Sequence, residues 1–193
     1  ARAGFRDRCF FKLGPIRHAI GVPERVLAAG AGRFVTVTAD TALAPGVHLV
    51  GHATPGLGER GRAAHLWRQS ANGLAPDDFS HEQSLVFETQ AGLVILNSCC
   101  HGGADTVVRE ALAALPGRPV AALVGGFHLM GALGVKSLGV KPEEAEALGR
   151  SLLELGVAKT YLCHCTGDPG SKILGEVLGA RSQYFPAGAS AEF

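Results

Sequence analysis

The chain carries almost no net charge: 18 Lys and Arg stand against 17 Asp and Glu, a formal +1. Without a basic excess there is no electrostatic case for nucleic acid or for an anionic membrane surface as a partner. It has no apolar run of roughly eighteen residues or more, which excludes a membrane-spanning helix. No charged stretch followed by an apolar one opens it, so no secretory signal is visible. It also lacks internal repeats and low-complexity tracts. Cysteine is scarce and odd in number. Of five, four fall in two clusters, Cys99-Cys100 and Cys163/Cys165, and Cys9 stands alone. That is not a disulfide framework, and the expectation is reduced thiols in the cytoplasm.

What remains is ordinary globular material. Apolar residues make up 47% and charged residues 18% of 193 positions. That length suits one domain, 1–193, with a sizeable core. The chain begins at Ala1 and not at Met, which raises the expectation of a fragment or a processed product.

Residues 1–32 resist placement. "FVTVTA" (34–39) alternates and is β-branched, so it predicts a strand. A Leu-Ala-Pro-Gly turn (43–46) and a second strand, "VHLVGHA" (47–53), follow. Residues 54–80 hold Gly, Pro, Asn and Asp without period and are expected to form a long loop. "SLVFETQAGLVILNS" predicts a hairpin, with apolar runs at 84–88 and 93–97. Val107, Val108, Ala111, Leu112 and Leu115 mark a helix stopped by Pro116-Gly117. "VAALVGGF" (120–127) reads as a buried strand. After a Gly-rich loop, Pro142 with Glu143 and Glu144 opens a second helix, carrying Ala145, Leu148, Leu152 and Leu155 on one face. "AKTYLC" (158–163) is a strand, Ile173 to Leu178 a short helix, and "SQYFPAG" a last strand. The order is strand pairs, then β-α-β-α-β-α-β, an α/β arrangement of a sheet with helices packed on it.

Three histidines share a position. His101, His128 and His164 each follow a predicted strand directly, in "LVILNSCCH", "ALVGGFH" and "TYLCH". Beyond the carboxyl ends of such strands, groups converge on one edge where ligands bind. Three imidazoles meeting there suit zinc, iron or manganese. Gly102-Gly103, Gly125-Gly126 and Gly167 beside them permit close backbone approach. A single histidine after a strand is by itself an unremarkable loop residue; it is the shared context that points to a metal. His52 also follows a strand and could face the site, His81 is a loop residue or substrate contact, and His18, His48 and His65 have no supporting context. Asp77, Asp78 and Glu82 form an acidic cluster that reads first as a solvated loop and second as an acid–base pair.

The cysteines allow a rival. Cys100, Cys163 and Cys165, with His101 or His164, would make a closed tetrahedral zinc site in a non-catalytic module. Strand alternation sets His164 opposite Cys163 and Cys165, so either the histidine or the thiols face the site. Free cysteine is also commonly core.

Read together, "DDFSHEQSLVFETQAGLVILNSCCHGG", "ALVGGFHLMGA" and "LCHCTGDPGSKIL" with a late "PAG" resemble the metallo-β-lactamase superfamily, and within it the dihydropterin-ribofuranosylaminobenzene-phosphate synthase-like metallohydrolases. The resemblance covers about residues 20–190. It implies an αβ/βα sandwich with metals at one sheet edge. His101 and His164 match ligands of that family, and His128 stands where the superfamily often has a bridging Asp. His128 is then a ligand or a catalytic hydrogen-bond donor. The cofactor implied is Zn2+ (or Mn2+/Fe2+), one or two ions. The reaction implied is hydrolysis by a metal-bound hydroxide, on a phosphoester or other phosphate-bearing, anionic small molecule. Glu82 and Gln83 would orient the site, and Thr166-Gly167, opening the last helix, would offer backbone N–H groups to an anion. The superfamily's His-x-His-x-Asp-His signature is absent, and no two histidines are two apart anywhere. The expectation is therefore the C-terminal portion of the fold, truncated and incomplete as a catalyst. A degenerate homologue that binds ligand without turnover is the other explanation.

Overall fold

The pairing of the two central apolar runs places the core. In the computed structural model, which describes residues 9–30 and 32–193, Val86 lies opposite Ile95 and both are fully buried. Their neighbours Leu85–Leu96 and Phe87–Val94 point to the other face, as the period of two requires.

In chain order the elements are β1 (Cys9–Leu13), β2 (Ile16–Ala19), α1 (Glu24–Ala29), β3 (Thr41–Ala44), β4 (Val47–Gly51), α2 (Gly58–Ala63), β5 (Leu66–Ser70) and β6 (Gly73–Pro76). They continue with β7 (Gln83–Thr89), β8 (Gly92–Leu96), α3 (Ala104–Ala114), β9 (Val120–Gly125), the hairpin β10 (Met130–Gly131) and β11 (Gly134–Leu138), α4 (Pro142–Glu154), β12 (Thr160–Leu162), α5 (Gly167–Leu178) and β13 (Ser182–Tyr184). The main sheet has seven strands in the order β13-β12-β9-β8-β7-β4-β3. From β8 to β13 its neighbours are parallel, and from β8 to β3 antiparallel. Residues of α3, α4 and α5 pack on one face, over Val50, Val86, Leu93, Ile95, Leu123 and Leu162. The opposite face carries a smaller cluster of Val94, Ala122 and Tyr161, which the C-terminal Phe185 and Phe193 cover edge-on. A second sheet, β2-β1-β5-β6, has a small core of Leu57, Leu66 and Phe79. This is an α/β sheet with one helical layer, as expected from the β-α-β order. Among the described residues no helix is long and apolar enough to cross a membrane.

Two local expectations fail, and one unplaced stretch gains structure. Residues 34–39 make no strand, only a single bridge at Val37, and Val35 is 75% exposed. An alternating run becomes a strand only where a partner edge runs alongside. The presumed loop 54–80 instead holds α2, β5 and β6. Its pattern is broken by Arg68, Gln69 and Asn72, and β5 is set by pairing with the distant β1. Of the unplaced residues 1–32, positions 9–29 supply β1, β2 and α1, whereas 1–8 and 31 lie outside the described residues.

Candidate metal centre

Because β8, β9 and β12 are adjacent and parallel, the turns after them share one edge of the sheet. His101, His128 and His164 leave the strands there. The rings of His101 and His128 meet edge-on, centroids 4.5 Å apart. His128 and His164 both have φ 50°, and Cys100 has φ 47°. Left-handed backbone costs a non-glycine residue roughly 1–2 kcal/mol, and such strain collects at functional turns. Two glycines make the close approach possible. A Cβ on Gly125 would lie 2.1 Å from the Asn97 carbonyl oxygen, and one on Gly126 would lie 2.6 Å from Cys165 Sγ.

The donors that close together at this edge are not three imidazoles. Cys99 Sγ lies 3.2 Å from His164 Nδ1, and these atoms with Cys165 Sγ all fall within 4.8 Å of one another. His101 lies against Cys99, and His128 adjoins His101. Two thiols and an imidazole are a donor set that suits zinc or another borderline metal, so the residues present fit a metal ion. Sequence alternation misassigns the thiols here. Residues His164–Thr166 form a 3-10 turn, not a strand, so His164 and Cys165 reach the same side and Cys163 does not join them. The thiolate set expected from Cys100, Cys163 and Cys165 does not form among the described residues, since Cys100 is 1% exposed and packs in the main core. Cys99 takes its place. Its thiol is pushed up to about 12, first by the hydrogen bond with Cys165 and then by burial, and the same bond draws the Cys165 thiol down.

Behind His101 runs a line of buried ionic hydrogen bonds. His101 Nδ1 donates to Glu82 Oε1 at 2.8 Å, which leaves Nε2 as the ring atom that could hold a metal. Glu82 Oε2 accepts from His52 Nε2 at 2.7 Å, and His52 Nδ1 donates to Glu110 Oε2 at 2.7 Å. With both ring nitrogens facing carboxylates, His52 is an imidazolium. Burial opposes that charge, but Glu110 and Glu82 outweigh it and hold the pKa up at about 9. Burial opposes the charge on Glu82 too, yet His101 and His52 keep its carboxyl well below the usual range. His101 is likewise raised to about 9 against burial, by its contacts with Cys99 and Glu82. His128 goes the other way, down to about 4, through burial and the adjacent His101 charge. Phe79 stacks on His101 at 5.5 Å.

Other candidates resolve. His52 does face the site, through Glu82. Asp77, Asp78 and Glu82 are not a solvated cluster: Asp77 and Glu82 are 4% and 8% exposed. Nor are they an acid–base pair, because Asp78 pairs with Arg68 at 2.7 Å and Asp77 with His81 at 3.6 Å. The Thr166 hydroxyl donates to the Cys163 carbonyl and accepts from Phe127 N–H. Gly167 is buried under the β10–β11 hairpin, so nothing there shows an N–H group open to an anion. Sequence reasoning missed Glu110 and Cys99. Glu110 looked like any polar residue on α3, 58 positions from the histidine it holds. Beside His164 opens a groove of about 560 Å³, walled by Leu49, Leu85, Leu96 and Val124 and edged by Gln83, Asn97 and Ser98.

No protein-family model matches the chain. Over 139 residues it is 27% identical to 7,8-dihydropterin-6-methyl-4-(beta-D-ribofuranosyl)-aminobenzene-5'-phosphate synthase of Methanocaldococcus jannaschii, an alignment covering 70% of this chain and 45% of that protein. The chain thus spans less than half the length of this curated relative. It also superposes on the crystal structure of a metal-dependent hydrolase of the β-lactamase superfamily. The TM-score is 0.79 at 23% identity, over 100% of this chain and 69% of the other. Matched over its whole length, this chain has the fold of the β-lactamase-superfamily metal-dependent hydrolases.

Proposed function

We propose that this chain provides the metal centre of a metal-dependent hydrolase acting on an anionic, phosphate-bearing small molecule in a reducing, cytoplasmic setting. The observation that carries the proposal is the gathering of His101, His128 and His164 with Cys99 and Cys165 on one strand edge, beside an open groove. His101, His128 and His164 would hold Zn2+ (or Mn2+/Fe2+), as one or two ions, with Cys99 and Cys165 completing the set. A bound divalent ion supplies Lewis acidity and makes a nucleophile of water near neutral pH. The protein's own part is positional. Glu82 fixes His101 so that Nε2 is presented. His128 stays neutral and can offer a nitrogen lone pair or a hydrogen bond. The groove seats the apolar part of a substrate against Leu85, Leu96 and Val124. The phosphate in the substrate class is supported by the name of the Methanocaldococcus jannaschii relative.

Metal analysis with X-ray absorption tests this directly. The expected result is mixed nitrogen and sulfur coordination, at least tenfold weaker metal binding in His101→Ala and His164→Ala, and at most weak metal-dependent turnover of bis(4-nitrophenyl) phosphate by this incomplete site, lost in His128→Ala. A chain that binds no divalent metal, or binds it through sulfur alone, overturns the hydrolase assignment. A second reading is favoured by the short Cys99–His164 contact: a structural thiolate zinc without catalysis. It requires sulfur-dominated coordination and unfolding by chelator.

A further inference from the structure

We propose that Glu110 and His52 are positioning residues for the metal centre: they clamp Glu82 in the one placement from which it fixes His101 as a ligand. This deepens the function proposed above and rests on His101 being a ligand.

Glu82 precedes β7, and its carboxylate is placed by its partners. Oε1 takes the His101 ring at 2.8 Å and the His101 backbone N–H at 3.3 Å. Oε2 takes His52 at 2.7 Å and the Gly102 N–H at 3.4 Å. With Oε2 held by His52, Oε1 cannot swing away from His101. His52 is itself held by Glu110, whose other oxygen accepts from Ala53 N–H, Thr54 N–H and the Thr54 hydroxyl at 2.7, 2.9 and 2.8 Å. The line therefore starts on α3, whose Val107, Val108 and Ala111 are anchored in the core. The turn carrying His101 leaves just enough room for the clamp: a Cβ on Gly102 would fall 2.6 Å from His52 Nε2. The side chains of His52, Glu82 and Glu110 are 3%, 7% and 11% exposed. They escape the solvent screening that makes surface ion pairs weak.

A purely structural tie between β4 and α3 would use the same contacts. The two roles differ in what they move. A tie changes stability alone, whereas a clamp behind a metal-ligating histidine changes metal affinity, typically ten- to hundredfold. The test uses His52→Gln and Glu110→Gln. Glu88→Gln is the control, because it removes the charge from the comparably short His48–Glu88 pair, which among the described residues makes no hydrogen bond to the proposed ligands. Zn2+ affinity is measured by chelator competition, with the Co2+ absorption spectrum alongside. We expect a ten- to hundredfold loss and an altered Co2+ spectrum in both variants, and a change below twofold in the control. Thr54→Val removes one donor to Glu110 with the clamp residues intact. It is expected to lose affinity in the same direction by a smaller factor, and it serves if the others do not fold. Lower thermal midpoints with unchanged affinity overturn the proposal. If the wild-type chain binds no metal, the ligand assignment itself fails. The clamp is then decided on the metal-free chain by NMR: a protected His101 Nδ1–H resonance present in wild type and Glu88→Gln must be lost in His52→Gln and Glu110→Gln, and its persistence overturns the clamp.

Discussion

A histidine between two buried carboxylates is an unusual residue, and it makes the chain's stability pH-dependent. His52 rises from 6.5 in its ordinary state to about 9 when folded. A raised pKa contributes stability that is complete below the ordinary value and is lost as pH rises through the folded one. Glu110, whose pKa is lowered, contributes in the opposite limb, above its ordinary 4.5. The metal-free chain should therefore lose stability between pH 7 and pH 10. His101 adds to the same limb, so His52→Gln should flatten this loss without abolishing it. Urea midpoints at the two pH values, measured in EDTA, check it. An unchanged wild-type midpoint, or an equal drop in the variant, contradicts the assignment. His52 and Glu82 were visible in the sequence as residues next to predicted strands. Their partnership was not, because it spans thirty positions and depends on how β4 and β7 pair.

At the scale of elements, the site depends on how closely β8, β9 and the turn after β12 approach. Gly125 pairs with Leu162 of β12 and presses on Asn97 just past β8. Gly125→Ala should force that edge apart, destabilising the fold by about 1–3 kcal/mol through overpacking. Ile95→Ala leaves a cavity in the helix-covered face and should cost about 2–5 kcal/mol. Urea denaturation checks both costs and metal titration separates the two: only Gly125→Ala should also weaken metal binding, because it acts next to the turns that carry the candidate donors. Equal metal affinity in both variants would argue that the turns are held independently of the sheet. The helices α3 and α4 and the β7–β8 hairpin were legible because their apolar period is long and local. The β10–β11 hairpin, β5 and β6 were not, since they are short, and β5 also takes its place from the distant β1.

The whole molecule is unevenly consolidated. The main sheet and its three helices share one large core, whereas the β2-β1-β5-β6 sheet rests on Leu57, Leu66 and Phe79, and every residue of β2 is exposed. Hydrogen exchange should follow that division, with amides of β1 and β2 exchanging well before those of β8 and β9. Uniform protection across both sheets would show that they unfold as one unit. Phe79 joins the two regions, since it belongs to the small core and stacks on His101. Loosening of the smaller sheet should therefore be felt at the candidate metal centre.

By itself the sequence determined the α/β class, the helix faces and the places where three histidines leave their strands, because all of these follow from local periodicity. Its motifs also carried the resemblance that the superposed fold bears out. Only the tertiary structure decided which donors meet. The 3-10 turn at His164–Thr166 brought Cys165 to the side of His164, Cys99 displaced Cys100, and α3 delivered Glu110 to His52. A donor set is a matter of a few ångströms between residues far apart in the chain, and backbone turns and packing set those distances.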